Sequence, residues 1–237
     1  MKVAILGYGK MGQIIEKIAL DRGHIILLKI NQNNIDELNI ENLKKADVVI
    51  DFSTPESAKT NIILSIDANK PIISGTTGWL NDYKEVKDYC IQNNGTFLYA
   101  SNFSLGVNLF FELNKNLAKL MNKHQEYQIN LTEIHHSEKL DAPSGTAISL
   151  AEQIISESYI KNKWTVNPKN SDEELKINAQ RKRNIIGTHS VNYRSEIDSI
   201  SIIHEAHSRD GFALGAIIAA EWIINKKGVF SMHDVLS

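Results

Sequence analysis

An apolar stretch at residues 3–6 leads directly into a glycine-rich turn, Gly7-Tyr8-Gly9-Lys10-Met11-Gly12, which has the spacing G-x-G-x-x-G. Apolar residues at helical spacing follow the turn, and a second apolar stretch ends at Ile30. A strand, a glycine turn and a helix in this order are typical of a dinucleotide-binding βαβ unit, because the glycines let the backbone approach a pyrophosphate. The helix N-terminus then offers free N–H groups to the phosphates. We therefore predict dinucleotide binding; the alternative is a turn whose glycines serve only the fold.

Strand and helix patterns continue to alternate up to about residue 100. Residues 48–52, 71–74 and 96–100 have strand patterns. Thr54-Pro55 begins a helix, because a hydroxyl N-cap is followed by proline at the first helical position. This alternation predicts an α/β protein with an N-terminal Rossmann-type, doubly wound parallel sheet.

The pattern changes near residue 104, where we expect a second, α+β domain. Apolar residues at helical spacing predict helices at 107–121 and 147–155, and alternation predicts a strand that begins near Tyr127. The polar segment 161–176 is predicted to be a loop, and residues 177–207 are predicted to form antiparallel strands. The second domain is therefore expected to have a mixed, mostly antiparallel sheet.

Composition and charge exclude several classes of protein. The 237 residues suffice for one large or two small domains. A net charge of -2 argues against nucleic-acid binding through a basic surface, and we expect the short run Arg181-Lys182-Arg183 to be a solvated face. The most apolar late segment contains Glu221 and is too short to span a bilayer. Cys90 is the only cysteine and Met1-Lys2-Val3 does not begin a signal peptide, so we expect a cytoplasmic location.

The second strand ends without the carboxylate that usually holds the adenosine ribose of a dinucleotide. The sequence there is Lys29-Ile30-Asn31. Asn31 can form a hydrogen bond with a ribose hydroxyl, while Lys29 and Lys10 can attract a 2′-phosphate. These residues favour NADPH over NADH.

Residues 133–147 form the densest polar cluster in the sequence. Two adjacent histidines and a lysine end a predicted strand, and a Pro-Ser-Gly-Thr stretch then opens a helix. The serine suits the N-cap, which leaves the next N–H groups free to bind a carboxylate. Because histidine transfers protons near neutral pH, the cluster predicts a proton-transfer site beside an anion site; the alternative is a solvated loop before a capped helix. The candidate residues are His135, His136, Lys139, Ser144, Gly145 and Thr146.

A metal centre and a serine nucleophile are less consistent with this sequence. Adjacent residues of a strand point to opposite faces, so His135 and His136 would not ligate one ion, and the same argument separates His204 from His207. Ser144 lacks the G-x-S-x-G elbow of a nucleophile. We therefore predict no metal ion.

The polar cluster also resembles a known signature. The stretch from His135 to Ala147, HHSEKLDAPSGTA, is similar to the signature of the bacterial 4-hydroxy-tetrahydrodipicolinate reductases, also called dihydrodipicolinate reductases. The resemblance extends over nearly the whole chain in the order of the family. Its other segments are residues 51–56, 75–78, 102–106, 187–189, 208–209 and 212–216.

The resemblance implies an oxidoreductase of amino-acid biosynthesis, in the diaminopimelate pathway to lysine. Such an enzyme uses NADPH or NADH to reduce 4-hydroxy-tetrahydrodipicolinate, a cyclic dicarboxylate, to tetrahydrodipicolinate with loss of water. His135 matches the family's catalytic acid/base and Lys139 its catalytic lysine, and either can deliver the proton. The substrate-binding positions are His136, Gly145 and Thr146, to which we add Ser144 as the expected N-cap. The cofactor-binding positions are Gly7, Tyr8, Gly9, Lys10, Met11, Gly12, Asn31, Gly75, Thr76, Thr77, Ala100, Ser101, Asn102 and Phe103.

The family fold also implies a division into domains and an oligomeric state. Residues 1–103 are expected to form the dinucleotide-binding domain, completed by a C-terminal helix at 209–237. Residues 104–208 are expected to bind the substrate, carry catalysis and form the oligomer. In the family these second domains assemble into a homotetramer through their sheets.

Two departures from the family bear on the cofactor rather than on the reaction. The glycine turn is one residue shorter than the family's usual G-x-x-G-R-M-G and has Lys10 in place of arginine, and Asn31 replaces an acidic residue. Two other functions remain open. One is that of another two-domain NAD(P)-dependent amino-acid dehydrogenase, and the other is that of a non-catalytic NAD(P)H-sensing protein.

Overall fold

The computed structural model describes residues 1–139, 141–167, 171–208 and 210–237. The chain divides into two units, residues 1–105 with 210–237 and residues 106–209. The predicted division at residues 208 and 209 involves Arg209, which lies outside the described residues. The single C-terminal helix expected at 209–237 is wrong within the described residues. Asn225, with φ +63°, follows a first helix at Asp210–Ile223, and a short strand at Gly228–Phe230 precedes a second helix at Met232–Leu236. The roles that the sequence assigns to the two domains stay predictions.

The strands and helices are named in chain order. The strands are β1 (Lys2–Leu6), β2 (Ile25–Ile30), β3 (Val48–Asp51), β4 (Ile72–Ser74), β5 (Thr96–Tyr99), β6 (Gln128–His135), β7 (Lys163–Thr165), β8 (Glu174–Arg181), β9 (Gly187–Arg194), β10 (Ser199–Ala206) and β11 (Gly228–Phe230). The α-helices are α1 (Lys10–Asp21), α2 (Ile40–Leu43), α3 (Pro55–Asp67), α4 (Tyr83–Gln92), α5 (Leu105–Met121), α6 (Gly145–Glu157), α7 (Asp210–Ile223) and α8 (Met232–Leu236), with short 3₁₀ helices at Gln32–Glu37 and Leu80–Asp82.

The first unit contains a parallel sheet with the strand order β11-β5-β4-β3-β1-β2. One face packs against α1 and α7, and the other against α2, α3 and α4. This arrangement confirms the predicted doubly wound sheet. The strand order reverses between β1 and β3, so the glycine turn that follows β1 lies at the switch point where such sheets bind their ligands.

The second unit contains a sheet with the order β10-β9-β6-β8-β7. β9 is antiparallel to both β10 and β6, whereas β8 is parallel to both β6 and β7. Apolar residues of α5 and α6 pack against this sheet around Leu131 and Val191. The sheet is therefore mixed, as predicted, and its two longest pairings are antiparallel.

Two local expectations about the second unit are wrong. The segment 161–176, predicted to be a loop, contains β7 and the start of β8, although residues 168–170 lie outside the described residues. β8 lies in the range expected to be antiparallel, yet it runs parallel to β6. The reason is that α6 intervenes between β6 and the β7–β8 segment, and a helical crossover returns the chain in the same direction.

None of the helices in the described ranges is both long enough and apolar enough to cross a bilayer.

Candidate active site

The glycine turn has a backbone that requires glycine at its first position. Gly7 has φ +87°, and a Cβ placed there would lie 2.1 Å from the carbonyl oxygen of Phe52. A Cβ on Gly12 would lie 2.7 Å from the carbonyl oxygen of Gly7. A Cβ on Gly9, in contrast, would meet nothing within 4 Å. Two of the glycines therefore serve the packing of the turn, and Gly9 keeps the space in front of it open.

The space beside this turn fits a dinucleotide. A cavity of about 740 Å³ is lined by Gly7, Gly9, Asn31, Ser53 and Thr54, among others. No side chain caps the N-terminus of α1, so its first N–H groups can bind a pyrophosphate. Among the described residues that line the cavity, none is Asp, Glu, Lys or Arg. The sequence interpretation missed Ser53 and Thr54, although they follow β3 just as the predicted loops follow β4 and β5.

Two of the residues expected to select the cofactor, Asn31 and Lys29, already have partners within the protein. The Asn31 side chain accepts a hydrogen bond from the Asn33 N–H at 2.8 Å and thereby caps the 3₁₀ helix that follows β2. The Lys29 Nζ lies 3.2 Å from Glu16 Oε1 and 5.0 Å from the centre of the Tyr8 ring. The Tyr8 hydroxyl also donates to Glu16. A 2′-phosphate would have to compete with Glu16 for Lys29.

A buried carboxylate organises the loops after β3 and β4. Asp51 is fully buried and accepts hydrogen bonds from the hydroxyls of Ser74 at 2.9 Å and Thr76 at 2.8 Å. Ser53 Oγ and Asn61 Nδ2 donate to its other oxygen. Burial raises the pKa of Asp51 even though these hydrogen bonds favour the charged form. The sequence interpretation missed Asp51, which fixes the loop containing the predicted residues Gly75, Thr76 and Thr77.

The predicted cofactor residues Ala100 to Phe103 follow β5, the next strand along the sheet. The Phe103 side chain is 2% exposed, and its ring centroid lies 5.7 Å from that of Phe52. A Cβ on Gly215 of α7 would lie 1.7 Å from the Phe103 carbonyl oxygen, so the helix packs directly against this segment. The Phe103 side chain is thus part of the core, and the more accessible residues of the segment are Ala100, Ser101 and Asn102.

In the second unit, one face of β6 carries a buried carboxylate beside a buried imidazole. Residues 131, 133 and 135 alternate with less buried residues, so Glu133 and His135 share a face with Leu131. Glu133 is fully buried, and its Oε2 lies 3.1 Å from the Nδ1 of His135. The predicted alternation from Tyr127 onward, continued by two residues, could have identified Glu133 as inward-facing.

Glu133 also contacts two further elements. Its Oε1 accepts a hydrogen bond from the Ser144 N–H at 3.0 Å and lies 3.4 Å from both Nη1 and Nη2 of Arg181. Burial alone would raise the pKa of Glu133, but the contacts with His135 and Ser144 outweigh burial and hold the pKa at about 2. This side chain is therefore a carboxylate at neutral pH.

His189 of β9 lies against the same cluster. Its Nε2 lies 3.2 Å from Ser144 Oγ and 3.8 Å from Glu133 Oε2, and its ring centroid lies 5.1 Å from that of His135. Burial and the nearby charge of His135 lower the pKa of His189 to about 4. The His189 ring is thus neutral near pH 7 and accepts a proton only under acidic conditions.

The loop that follows His135 is held by Arg181, which is not the solvated residue expected from the sequence. Arg181 donates to the carbonyl oxygens of Lys139 and Asp141 as well as contacting Glu133. The Lys139 ammonium pairs with the Asp141 carboxylate at 2.7 and 2.8 Å. The guanidinium of Arg181 thus satisfies carbonyl groups of this loop, because its N–H donors form a fixed fork. The sequence of the short basic run does not predict these contacts.

The N-terminus of α6 is built as the sequence predicts. Ser144 is the N-cap, and its hydroxyl accepts a hydrogen bond from the Ala147 N–H at 3.2 Å. Because Ser144 is only 3% exposed and its hydroxyl also contacts His189, its side chain caps the helix and has little surface to offer a ligand. Gly145 is exposed, and His136, Lys139 and Thr146 are half-buried. These accessible residues can contact a carboxylate.

Glu133, His135 and His189 also form a trio that could ligate a metal ion, since each offers an atom within 4.8 Å of the others. The sequence argument against a metal considered other histidine pairs and did not foresee this trio. The guanidinium of Arg181 supplies a positive charge to the same carboxylate, which makes an added cation less favourable. The expectation that no metal binds stays a prediction.

Comparisons with known proteins cover the whole chain. The family model described as dihydrodipicolinate reductase, N-terminus, matches residues 1–103, and the one described as dihydrodipicolinate reductase, C-terminus, matches residues 106–236. The chain is 48% identical over 237 residues to a 4-hydroxy-tetrahydrodipicolinate reductase of Christiangramia forsetii, covering 100% of this chain and 98% of the relative. A protein of the same name from Rickettsia rickettsii is 35% identical over 231 residues, covering 96% and 95% of the two chains.

Solved structures show the same fold at lower identity. A dipicolinate-bound dihydrodipicolinate reductase from Paenisporosarcina sp. TG-14 superposes with a TM-score of 0.79 at 22% identity, over 99% of this chain and 98% of the other. An aspartate dehydrogenase from Thermotoga maritima superposes with a TM-score of 0.52 at 13% identity, over 95% and 97% of the two chains. The fold is therefore shared with dehydrogenases of several kinds.

Proposed function

This chain belongs to the dihydrodipicolinate reductase family, and on that premise we propose that it reduces 4-hydroxy-tetrahydrodipicolinate to tetrahydrodipicolinate. The reaction consumes one NAD(P)H and one proton and releases NAD(P)⁺ and one water. It serves lysine biosynthesis by the diaminopimelate pathway. The observation that carries the proposal is the site of the second unit, where His135 ends β6 and Lys139 lies in the loop that leads to the capped N-terminus of α6.

The residues of the second unit bind and protonate the substrate. The N–H groups at Gly145 and Thr146 and the ammonium of Lys139 bind the carboxylates of a dicarboxylate, with His136 as a further contact. His135, held on the buried face of β6, exchanges a proton with the substrate. Lys139 must first exchange Asp141 for a substrate carboxylate, since the two residues are paired in the absence of ligand.

The first unit holds the nicotinamide dinucleotide. The N–H groups of the glycine turn and of the first turn of α1 contact its pyrophosphate, and Asn31 its adenosine ribose. The loops at Gly75–Thr77 and Ala100–Phe103 line the remainder of the same sheet edge. When bound, the nicotinamide supplies the hydride.

The cofactor preference follows from charge. The cavity is lined without a carboxylate that would repel a 2′-phosphate, and Lys10 and Lys29 lie close to the turn in sequence or in space, so NADPH is preferred over NADH. Glu16 opposes this preference because it pairs with Lys29.

Specificity constants for NADPH and NADH test this preference. We expect Lys10→Ala or Lys29→Ala to lower the NADPH:NADH ratio severalfold, Glu16→Gln to raise it, and Lys17→Ala, at an exposed position of α1, to leave it unchanged. A wild-type ratio below one, or a ratio insensitive to both Lys10→Ala and Lys29→Ala, would contradict it.

The resemblance to the family supports a homotetramer formed through the second units and a cytoplasmic location, with neither nucleic acid nor membrane as a partner. Ile203 of β10 is 65% exposed, and an exposed apolar side chain on this strand is consistent with an interface to a second copy of the chain. Light scattering tests the tetramer, for which four chains of 26.6 kDa are expected; a monomer mass at micromolar concentration would contradict it.

Complementation tests the proposed function in cells. The gene should restore growth without lysine and diaminopimelate to a bacterium that lacks its own 4-hydroxy-tetrahydrodipicolinate reductase, and the His135→Gln gene, expressed at the same level, should not. Failure of the wild-type gene at normal expression would instead favour an amino-acid dehydrogenase or a sensor.

A further inference from the structure

Glu133 and His135 are placed together by the geometry of one strand. They are two residues apart on β6, so both side chains project from the same face of the sheet. Both are buried, with Glu133 fully inaccessible and His135 8% exposed. The carboxylate must be satisfied locally, because water does not reach it and reaches only a small edge of the imidazole.

The two oxygens of Glu133 have different partners. Oε1 accepts from the Ser144 N–H and faces the guanidinium of Arg181. Oε2 lies 3.1 Å from His135 Nδ1, and within the described part of the chain neither of these two buried atoms has a well-aligned hydrogen bond to any group. Since a carboxylate only accepts hydrogen bonds, a proton on Nδ1 is the arrangement that lets the two atoms satisfy each other across this distance.

His189 does not compete for this carboxylate. Its Nε2 lies 3.8 Å from Oε2, which is beyond hydrogen-bond distance, and it faces the Ser144 hydroxyl instead. The low pKa of His189 keeps its ring neutral at pH 7. The charge of Glu133 is therefore shared between Arg181 and His135.

The other nitrogen of His135 lies beside a residue without a side chain. Gly187 begins β9 beside it, and a Cβ at that position would lie 3.1 Å from His135 Nε2. In the described residues Nε2 makes no hydrogen bond within the protein. Nε2 is thus the ring nitrogen left without a partner in the described residues, and glycine at position 187 leaves room beside it.

We propose that Glu133 is a positioning residue, which fixes His135 in the tautomer with the proton on Nδ1 and leaves Nε2 to exchange the proton with the substrate. The inference rests on the proposed function of His135 and adds the residue that orients it. Arg181 and the Ser144 N–H hold Glu133 in turn, so one buried carboxylate links the proton-transfer residue to the N-terminus of α6 that binds the substrate.

Nitrogen-15 NMR of histidine-labelled protein tests the tautomer directly. The His135 signals are assigned by their disappearance in His135→Gln, and the spectrum is recorded at the highest pH at which the protein stays folded. We expect the neutral His135 ring to carry its proton on Nδ1. A proton on Nε2 would overturn the proposal, and this measurement on the wild-type protein needs no enzymatic activity.

Glu133→Gln gives the matched kinetic test. Its amide oxygen must face the Ser144 N–H and Arg181, so its NH₂ group faces His135 Nδ1 and the proton of the ring moves to Nε2. We expect this change in the NMR spectrum and a kcat at least about tenfold lower, as is typical when the partner of a functional histidine is changed, with an unchanged KM for NAD(P)H. Glu138→Gln, which removes an equal charge at an exposed position five residues along the chain, should change neither.

The outcomes separate this inference from the function on which it rests. A normal kcat in a folded Glu133→Gln protein, or an unchanged tautomer, would overturn the positioning role even if the enzyme is a reductase. Wild-type protein that shows the Nδ1 proton but no reductase activity would instead overturn the function and leave the tautomer assignment standing.

Discussion

Two candidate site residues of the second unit are largely buried. His135 is 8% exposed and Ser144 is 3% exposed, although both were chosen from the sequence as residues that meet a substrate. For His135, a small exposed edge suffices, since proton transfer needs contact with one nitrogen only. For Ser144, burial means that the hydroxyl caps α6, and the N–H groups that follow are the ones we propose to contact the substrate.

His135→Gln tests the proton-transfer role. Glutamine keeps a polar side chain of similar reach but cannot exchange a proton near neutral pH, so we expect kcat to fall by about 10²- to 10⁴-fold. Binding of NAD(P)H, followed by fluorescence, should stay unchanged because the glycine turn lies in the other unit. Unchanged turnover would remove His135 from the mechanism.

Lys139→Ala tests the second cation of the substrate site. Loss of a charge-assisted contact with a carboxylate, worth about 1.5–3 kcal/mol, should raise KM for the dicarboxylate roughly 10- to 100-fold and lower kcat as well. Steady-state kinetics and the thermal midpoint should be compared with those of Lys123→Ala, a lysine at an exposed position. If the variant has a lower thermal midpoint but unchanged kinetic constants at temperatures where it is folded, Lys139 is structural.

Elements of the first unit follow directly from their sequence patterns, because each short strand is apolar and each helix has a recognisable start. Thr54 and Pro55 open α3 as expected, and the glycine turn joins β1 to α1. The elements that the sequence interpretation missed are short or polar. β7 has the sequence Lys163-Trp164-Thr165, and β11 has three residues that pair only with β5.

The glycine turn gives a matched pair of variants. Gly9→Ala meets no neighbour, so it should leave the thermal midpoint unchanged and weaken NAD(P)H binding about tenfold or more by filling the space of the pyrophosphate. Gly7→Ala combines a positive φ with a clash against Phe52, so it should destabilise the first unit by more than about 1–3 kcal/mol.

Fluorescence titration and thermal melts measure both effects. If Gly9→Ala binds NAD(P)H as tightly as the wild type while folding normally, the turn does not hold the cofactor.

Contacts between elements could not be read from the sequence, even where the elements themselves could. The candidate site residues of α6 and β6 are near in sequence, so their grouping was predictable. Glu133, Arg181 and His189 come from three different strands, and only the mixed pairing of β6 with β8 and β9 places them together. Because the predicted antiparallel arrangement of β8 was wrong, the sequence could not predict that Arg181 lies beside β6.

At the scale of the whole molecule, the chain places the glycine turn in one unit and the buried cluster of Glu133, His135 and His189 in the other. The buried ionisable groups of the second unit also make its stability depend on pH. The pKa of His189 is lowered to about 4 from 6.5 by burial, and that of Glu133 to about 2 from 4.5 by its partners. Both groups take up protons more readily in the unfolded chain, so acid destabilises the fold through each of them.

Acid should act in two separate windows. The contribution of His189 is complete above about pH 6.5 and is lost as the pH falls toward 4, whereas that of Glu133 is complete above about pH 4.5 and is lost toward 2. The first window should cost about 3 kcal/mol of unfolding free energy from His189, and His204, whose pKa is also lowered by burial, adds in the same direction.

Chemical denaturation followed by circular dichroism between pH 7 and 4.5 measures this dependence. His189→Gln should flatten the pH dependence of the unfolding free energy, and His124→Gln, at an exposed position, should not. Parallel pH dependence of wild type and His189→Gln would show that His189 is not held neutral by the fold.

The measurement that tests the central claim most directly is NAD(P)H oxidation by the purified protein, with the preceding synthase producing the substrate in the same cuvette. Absorbance of the reduced nicotinamide should fall at a rate that depends on the concentration of the wild-type protein, and it should fall far more slowly with His135→Gln at the same concentration. No oxidation with either cofactor, from folded protein that binds NAD(P)H and a working synthase, would contradict the assignment as a reductase.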